Sequence, residues 1–294
     1  MPNSVIITHQ TIYNYRRAVR FGPHRLVLRP REGHDLQVEN LHLEISPAFS
    51  LAWSRDVFGN SVATVSFEEE ASELQIVSSV SIRRGELPKL PDRGQSGVGY
   101  PVVYDEQEMI MVSAYRAPIY PESSEILLEW SRHLLEETDS RDAVAMVTAL
   151  NLAVGRAVQY RRREEKGVQS PEETIRVASG SCRDMATLLM EACRSLGIAS
   201  RFSSGYLDCP ASIAGIASTH AWAEVYFPGR GWTGFDPVLG EIAGRKHIAV
   251  GVSNHPRGVM PVSGLYFGQG NDFEGMKVAV KFEKSEHLVR TGRS

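Results

Sequence analysis

The sequence predicts an α+β fold: an all-β sandwich over residues 1–85, a Pro/Gly-rich linker over 86–120, and a domain of helices packed on an antiparallel sheet over 121–294. Three observations carry this expectation. Apolar residues alternate along the first stretch with no long helical pattern among them. Between Ser123 and Gly197 they recur at three- and four-residue steps instead. From Ile198 onward alternation returns, folded about a turn signal at Pro228-Gly-Arg230.

Size and composition agree with a two-domain globular chain. The 294 residues suffice for two domains, and 42% hydrophobic with 23% charged residues is globular composition. A net charge of −3 gives no bulk electrostatic case for nucleic acid or an anionic membrane. No apolar run approaches the length of a membrane-spanning helix, and the N-terminus lacks the pattern of a signal peptide. Three cysteines, an odd number, do not suggest a disulfide framework, so the expected compartment is the reducing cytoplasm.

In the β region, Leu41, Leu43 and Ile45 alternate, as do Ala63, Val65 and Phe67, and then Leu74, Ile76, Val80 and Ile82 with Ser78 between. Arg25, Arg29 and Arg31 cluster near His24; a solvated strand face or a pairing role outweighs an anion site. The linker carries Leu87-Pro-Lys-Leu-Pro, Tyr100-Pro101, Ala117-Pro118 and Tyr120-Pro121, together with enough apolar residues to lie against folded structure. Helices follow. Ser123 or Ser124 caps one with Leu127, Trp130 and Leu134 on a single face, and Asp142 caps another with Ala143, Val147, Leu150 and Val154 inward. The run Arg161-Arg-Arg-Glu-Glu-Lys166 reads as its solvated end, and Ser170-Pro-Glu-Glu173 opens a short third helix.

The chain's chemistry concentrates after that point. Met185, Leu188, Leu189, Ala192, Cys193 and Leu196 form a helical stripe that Gly197 ends. Ser181 followed by Asp184 fits a capping box, which makes Cys182 the first helical residue. A thiol there meets unpaired backbone N–H groups and the positive end of the helix dipole, both of which favour thiolate. On its own such a cysteine is most simply a buried filler. The strands 218–227 and 231–235 change that balance. With Pro228, Gly229 and Arg230 as a three-residue loop, Phe227 faces Gly231, His220 faces Val238, and Asp236 becomes the diagonal neighbour of His220 on the same face. A nucleophile, a base and a carboxylate to orient the base are what cysteine catalysis requires.

Gly180-Ser-Cys-Arg-Asp-Met-Ala186, Arg201-Phe-Ser-Ser-Gly-Tyr-Leu207, Ser218-Thr-His-Ala-Trp-Ala-Glu-Val-Tyr226 and Gly231-Trp-Thr-Gly-Phe-Asp-Pro237 together resemble the bacterial transglutaminase-like superfamily. Tyr13-Asn-Tyr15, Arg25-Leu-Val-Leu-Arg-Pro-Arg31 and Asp56-Val-Phe-Gly-Asn60 resemble the N-terminal region that often precedes that core. The resemblance implies a papain-like core and a Cys182–His220–Asp236 triad in the roles of nucleophile, general base and orienter. The chain departs from the family where Asp236-Pro237 is followed by Val238-Leu239-Gly240 rather than Thr-Asn-Gly.

The expected reaction is acyl transfer through a thioester on a peptide bond or Gln side chain of a protein or peptide substrate, ending in hydrolysis as by a cysteine protease or amidase. A protein-glutamine γ-glutamyltransferase that cross-links Gln to an amine is the alternative, and a catalytically silent scaffold or binding protein is the reading from another class. The Cys182 N–H is one oxyanion donor; Tyr206 or an upstream N–H is a candidate second, and Trp222, on the His220 face, a candidate substrate contact. Both aromatics also fit as packing residues. Asp184 reads as a cap, Arg183 as half of a salt bridge, Cys193 as core, and Asp208 with Glu224 as an unproven carboxylate pair. The loop Asp208–Gly215 either borders the site or merely connects strands. No cofactor is implied, and scattered histidines without metal-ligand spacing give no metal site.

Overall fold

The computed structural model describes residues 4–86, 97–136, 141–163, 165, 167–209 and 219–284. The chain divides into two compact units, one of residues 1–87, 207–219 and 261–294, the other of residues 88–206 and 220–260.

The first unit opens with six strands: β1 (Ser4–Phe21), β2 (His24–Leu26), β3 (Leu36–Ser46), β4 (Phe49–Arg55), β5 (Ser61–Phe67) and β6 (Ala71–Arg84). β1 and β3 both pair antiparallel with β6, while β2 and β4 both pair antiparallel with β5. Two sheets result. Tyr15, Val19 and Phe21 of β1 and Leu74 and Ile76 of β6 meet Leu26 of β2 and Ala63 and Val65 of β5 in one apolar cluster, so the sheets form a sandwich. The expected alternation holds in β6, where Leu74, Ile76, Ser78, Val80 and Ile82 are all buried. The arginines serve the turn after β4. Arg25 pairs with Asp56 at 2.8 Å, and Arg31 donates to Asn60 Oδ1 at 2.7 Å and to the Phe58 carbonyl at 3.1 Å. Asp56 in turn accepts from the Phe58 and Asn60 N–H groups. Arg29 pairs with Glu32 at 2.8 Å.

The second unit begins with three helices, α1 (Glu106–Arg116), α2 (Ser124–Glu136) and α3 (Ala143–Ala157). α1 lies inside the expected linker. It is started by an Asp105–Glu108 capping box, with Glu108 N–H to Asp105 Oδ1 at 2.7 Å, which local composition hid behind the surrounding prolines. Asp142 caps α3 through the Ala145 N–H at 2.9 Å. Next come β7 (Gln159–Tyr160), α4 (Pro171–Val177), β8 (Ser179–Gly180) and α5 (Cys182–Ser195), then β9 (Ser200–Leu207), β10 (Thr219–Phe227), β11 (Gly231–Asp236), β12 (Glu241–Ile242) and β13 (His247–Ser253). The last five form one sheet in the order β12-β11-β10-β9-β13. Leu127 of α2, Val147, Leu150 and Val154 of α3, and Met185, Leu188 and Leu189 of α5 pack on Phe202, Ala221, Ala223, Val225, Phe227 and Phe235 of that sheet. Within α5, Glu191 and Arg194 form a fully buried ion pair at 2.9 Å. Glu191 also accepts from the Ile119 and Tyr120 N–H groups, and Arg194 donates to the Ser200 carbonyl. Every lone pair or proton that burial strips of water is thereby re-bonded.

The chain then returns to the first unit with β14 (Val262–Ser263), β15 (Tyr266–Phe267) and β16 (Phe273–Lys284). β14 adds to β2, while β15 and β16 add to opposite ends of β1, β16 along Val5–Tyr15. The structural division therefore differs from the sequence expectation of one domain over 121–294. A strand as long as β1 needs partners on both edges, and β6 supplies only one. Among the described residues, no helix is long and apolar enough to cross a membrane.

His9 sits buried on β1 beside Thr11, and burial pushes its imidazole down to about 4. Below the ordinary histidine value of about 6.5 the unfolded chain binds a proton that the folded chain refuses. Stability present above that pH is thus lost as pH falls toward 4, by up to roughly 3 kcal/mol. His9→Asn is expected to flatten the decline of Tm between pH 6.5 and 4; an unchanged slope would show that His9 is not the group responsible.

Candidate active site

α5 starts as the sequence predicts. Ser181 is extended, at φ −82° and ψ 174°, and Cys182 is the first helical residue. Asp184 Oδ2 accepts both the Ser181 N–H at 2.8 Å and the Ser181 hydroxyl at 2.7 Å, which is the cap role expected of it. It does more. The carboxylate is fully buried and also accepts Arg163 at 2.9 and 3.0 Å and the Gln169 N–H at 2.9 Å. Arg163 is therefore not part of a solvated helix end. Helix α3 stops at Ala157, the chain pairs Tyr160 with Gly180 in a short parallel bridge, and Arg163 turns inward to hold the turn that carries Cys182. Among the described residues Arg183 has no acidic partner; it donates to the Glu165 carbonyl at 2.7 Å.

The β10–β11 hairpin has the register derived from its loop, running from Phe227↔Gly231 to Ala223↔Phe235. Gly229 and Gly231 take positive φ, at 73° and 80°, which a three-residue turn after Phe227 requires. Alternation then sends Ala221, Ala223, Val225 and Phe227 into the helical core and leaves His220 and Trp222 on the other face with Asp236. His220 Nε2 lies 2.7 Å from Asp236 Oδ2. The Cys182 side chain acts on the same imidazole through hydrogen bonding and charge.

The surroundings set the charge states. Burial alone lowers the His220 pKa, but hydrogen bonds to Asp236 and Cys182 and their negative charge outweigh it and hold the imidazole well above the histidine range. Asp236 shows the mirror case. Burial raises its pKa, while hydrogen bonds from His220 and His247 win and keep it well below the carboxylate range. Cys193 lies fully buried in the same helix, and desolvation pushes its thiol up to about 12, so it stays inert core.

His247 has no counterpart in the sequence reading. Its Nε2 is 3.0 Å from Asp236 Oδ2, and its Nδ1 accepts the Gly244 N–H at 3.1 Å. His220, Asp236 and His247 have donor atoms within 4.8 Å of one another, the one such grouping among the described residues. A metal does not suit it. The Gly244 N–H occupies Nδ1, so the proton of His247 sits on Nε2, and a protonated nitrogen is no ligand.

Tyr206 and Trp222 are both buried, at 2% exposure, so neither offers a face to a substrate. Burial pushes the Tyr206 phenol far up. Trp222 instead packs its ring edge-to-face on His247, with centroids 5.2 Å apart, in a slot floored by two glycines. A Cβ at Gly234 would lie 3.1 Å from the indole, and one at Gly205 would lie 2.9 Å from it and closer still to the Ile248 carbonyl. Tyr160 is an aromatic on which Cys182 acts electrostatically. It is 38% exposed, and its phenol is pushed up first by burial and then by the charge at Cys182. Asp208 and Glu224 are no carboxylate pair: Arg84 holds the first at 2.6 Å and Arg201 the second at 2.7 Å. Residues 210–215 of the Asp208–Gly215 loop lie outside the described residues.

Comparison with known proteins gives the class. Residues 132–237 match the transglutaminase-like superfamily, and residues 5–83 match the bacterial transglutaminase-like N-terminal region. The two matched regions follow one another along the chain, the N-terminal region first. An uncharacterized protein of Mycobacterium tuberculosis is 25% identical over 280 residues, covering 89% of this chain and 87% of its own length. One of Mycobacterium leprae is 33% identical over 103 residues, covering 33% of this chain and 36% of its own length. A solved structure of a candidate cysteine protease from Cytophaga hutchinsonii shares the fold, with a TM-score of 0.71 at 16% identity over 97% of this chain and 92% of that one.

Gly205→Ala is expected to destabilise the second unit by about 1–3 kcal/mol or more, because the obstructing atom is backbone. A Tm within 1–2 °C of wild type, on the order expected of a neutral surface change, would contradict the close packing of β9, β13 and Trp222.

Proposed function

We propose that this protein is a thiol-dependent acyl-transfer enzyme acting on amides, with Cys182 as nucleophile, His220 as general acid and base, and Asp236 as orienter. The observation that carries the reading is a His220 ring bonded to Asp236 and acted on by a cysteine at a helix start. The Cys182 sulfur attacks the carbonyl carbon of a peptide bond or Gln side chain, and the carbonyl oxygen becomes an oxyanion. The C–N bond then breaks as the His220 imidazolium passes its proton to the leaving amine, leaving a thioester. Water attacks next; His220 takes its proton, the C–S bond breaks, and the acid leaves. Water needs no site of its own, whereas an amine acceptor does, so hydrolysis is the reading taken here. Attack by an amine at the same step would give cross-linking.

The Cys182 N–H opens α5 ahead of the helix's own hydrogen-bond ladder and serves as one oxyanion donor. The half-exposed Tyr160 hydroxyl, close enough to Cys182 to feel its charge, serves as the second in place of buried Tyr206. A protein or peptide substrate suits this chemistry, as does the reducing cytoplasm, where a thiol nucleophile stays reduced.

Incubation with a Gln-containing peptide library is expected to give products that Cys182→Ser abolishes. Retention of products with added primary amine, without incorporation of that amine, marks a hydrolase; incorporation marks a cross-linker. No turnover together with equally slow iodoacetamide labelling of all three cysteines would mark a silent scaffold. Tyr160→Phe is expected to cut turnover by on the order of 100-fold while leaving alkylation of Cys182 unchanged, since alkylation passes through no oxyanion. Equal effects on both rates would remove Tyr160 from the oxyanion site.

A further inference from the structure

We infer that His247 is a positioning residue for the triad: a neutral imidazole, locked in one tautomer by the Gly244 backbone, that braces the Asp236 carboxylate against His220. The inference rests on the acyl-transfer reading above and adds a residue to it.

The geometry is specific. The turn before β13 closes with the His247 N–H on the Gly244 carbonyl at 2.9 Å, and the Gly244 N–H returns to His247 Nδ1 at 3.1 Å. An N–H aimed at Nδ1 needs a lone pair there, so the ring proton sits on Nε2. That Nε2–H donates to Asp236 Oδ2 at 3.0 Å, the same oxygen that His220 holds at 2.7 Å. With Nδ1 occupied as an acceptor, the ring is held so that it presents Nε2–H to Asp236. The side chain of His247 is only 2% exposed, and Trp222 packs against its ring. The charged groups around it are His220 from β10, Asp236 from β11, and the Glu241–Lys246 ion pair, at 2.7 Å, across the β12 turn. The Val238 and Leu239 N–H groups hold Oδ1 at 2.9 and 3.3 Å, so what His247 adds is the second donor on Oδ2, the oxygen that faces His220.

The test compares the rate of Cys182 alkylation by iodoacetamide from pH 5 to 10 in wild type, His247→Leu and His247→Gln. Wild type is expected to alkylate faster at pH 6 than an unassisted thiol, which reads the Cys182–His220 pair and so tests the underlying proposal separately. His247→Leu is expected to lose this low-pH reactivity about tenfold and to converge on wild type above pH 9. A merely structural defect would instead lower the rate or the Tm without that convergence. His247→Gln, whose amide can donate to the same oxygen, is expected to restore the profile. A His247→Leu profile within twofold of wild type, or a Gln variant no better than Leu, would overturn the brace while leaving the acyl-transfer reading standing. A wild type with no low-pH advantage would overturn both. Should the Leu variant fail to fold, 15N NMR of wild-type imidazoles decides: a neutral, Nε2-protonated His247 across the titration of His220 supports the inference, and any other tautomer or an imidazolium refutes it.

Discussion

Asp236 has no exposed surface, yet its carboxylate accepts four hydrogen bonds, from His220, His247, and the Val238 and Leu239 N–H groups. An ionised carboxylate out of water is costly unless its lone pairs are filled, and here each oxygen takes two donors. That saturation fixes the carboxylate as an anion whose Oδ2 is shared by two imidazoles. Hydrogen bonding and charge from Asp236 and Cys182 hold His220 above the histidine range. Removing the anion would take away the acceptor that holds His220 Nε2.

The fold exists around this arrangement in a literal sense. The three-residue loop at Pro228–Arg230 sets the register that brings His220 and Asp236 to one face, while the opposite face of β10 is spent on the helical core. Glycines on β9 and β11 clear a slot for Trp222, and the indole closes the histidine pair from the side. On the helix side, Asp184 plays a second carboxylate role. It is as buried as Asp236, and its donors, among them Arg163 and Ser181, tie the approach strand to the first turn of α5. One carboxylate places the sulfur, the other places the base.

Local rules made much of this legible. The Ser181–Asp184 cap, the Asp142 and Ser170 caps and the hairpin loop depend on neighbours in sequence, and the sequence carries them openly. Long-range pairing was harder to read. β1 was not seen as an 18-residue strand because its buried positions include Ser4, His9 and Thr11, which break the apolar alternation. Arg163 and His247 look like surface residues in the chain, and only their partners 21 and 11 positions away reveal them as buried donors. Tyr206 and Trp222 carried the right motif but the wrong exposure, which no spacing rule reports. The return of β16 to β1 joins the two ends of the chain, a pairing that alternation in each strand separately does not specify.

The most direct measurement is an NMR titration of the His220 imidazole in the full chain, in wild type, Asp236→Asn and Cys182→Ser. The account predicts that wild-type His220 keeps its second proton well above the histidine range, and that each substitution moves its titration down. Ordinary titration near 6.5 in all three proteins would contradict it, because the carboxylate and the sulfur would then not act on that ring.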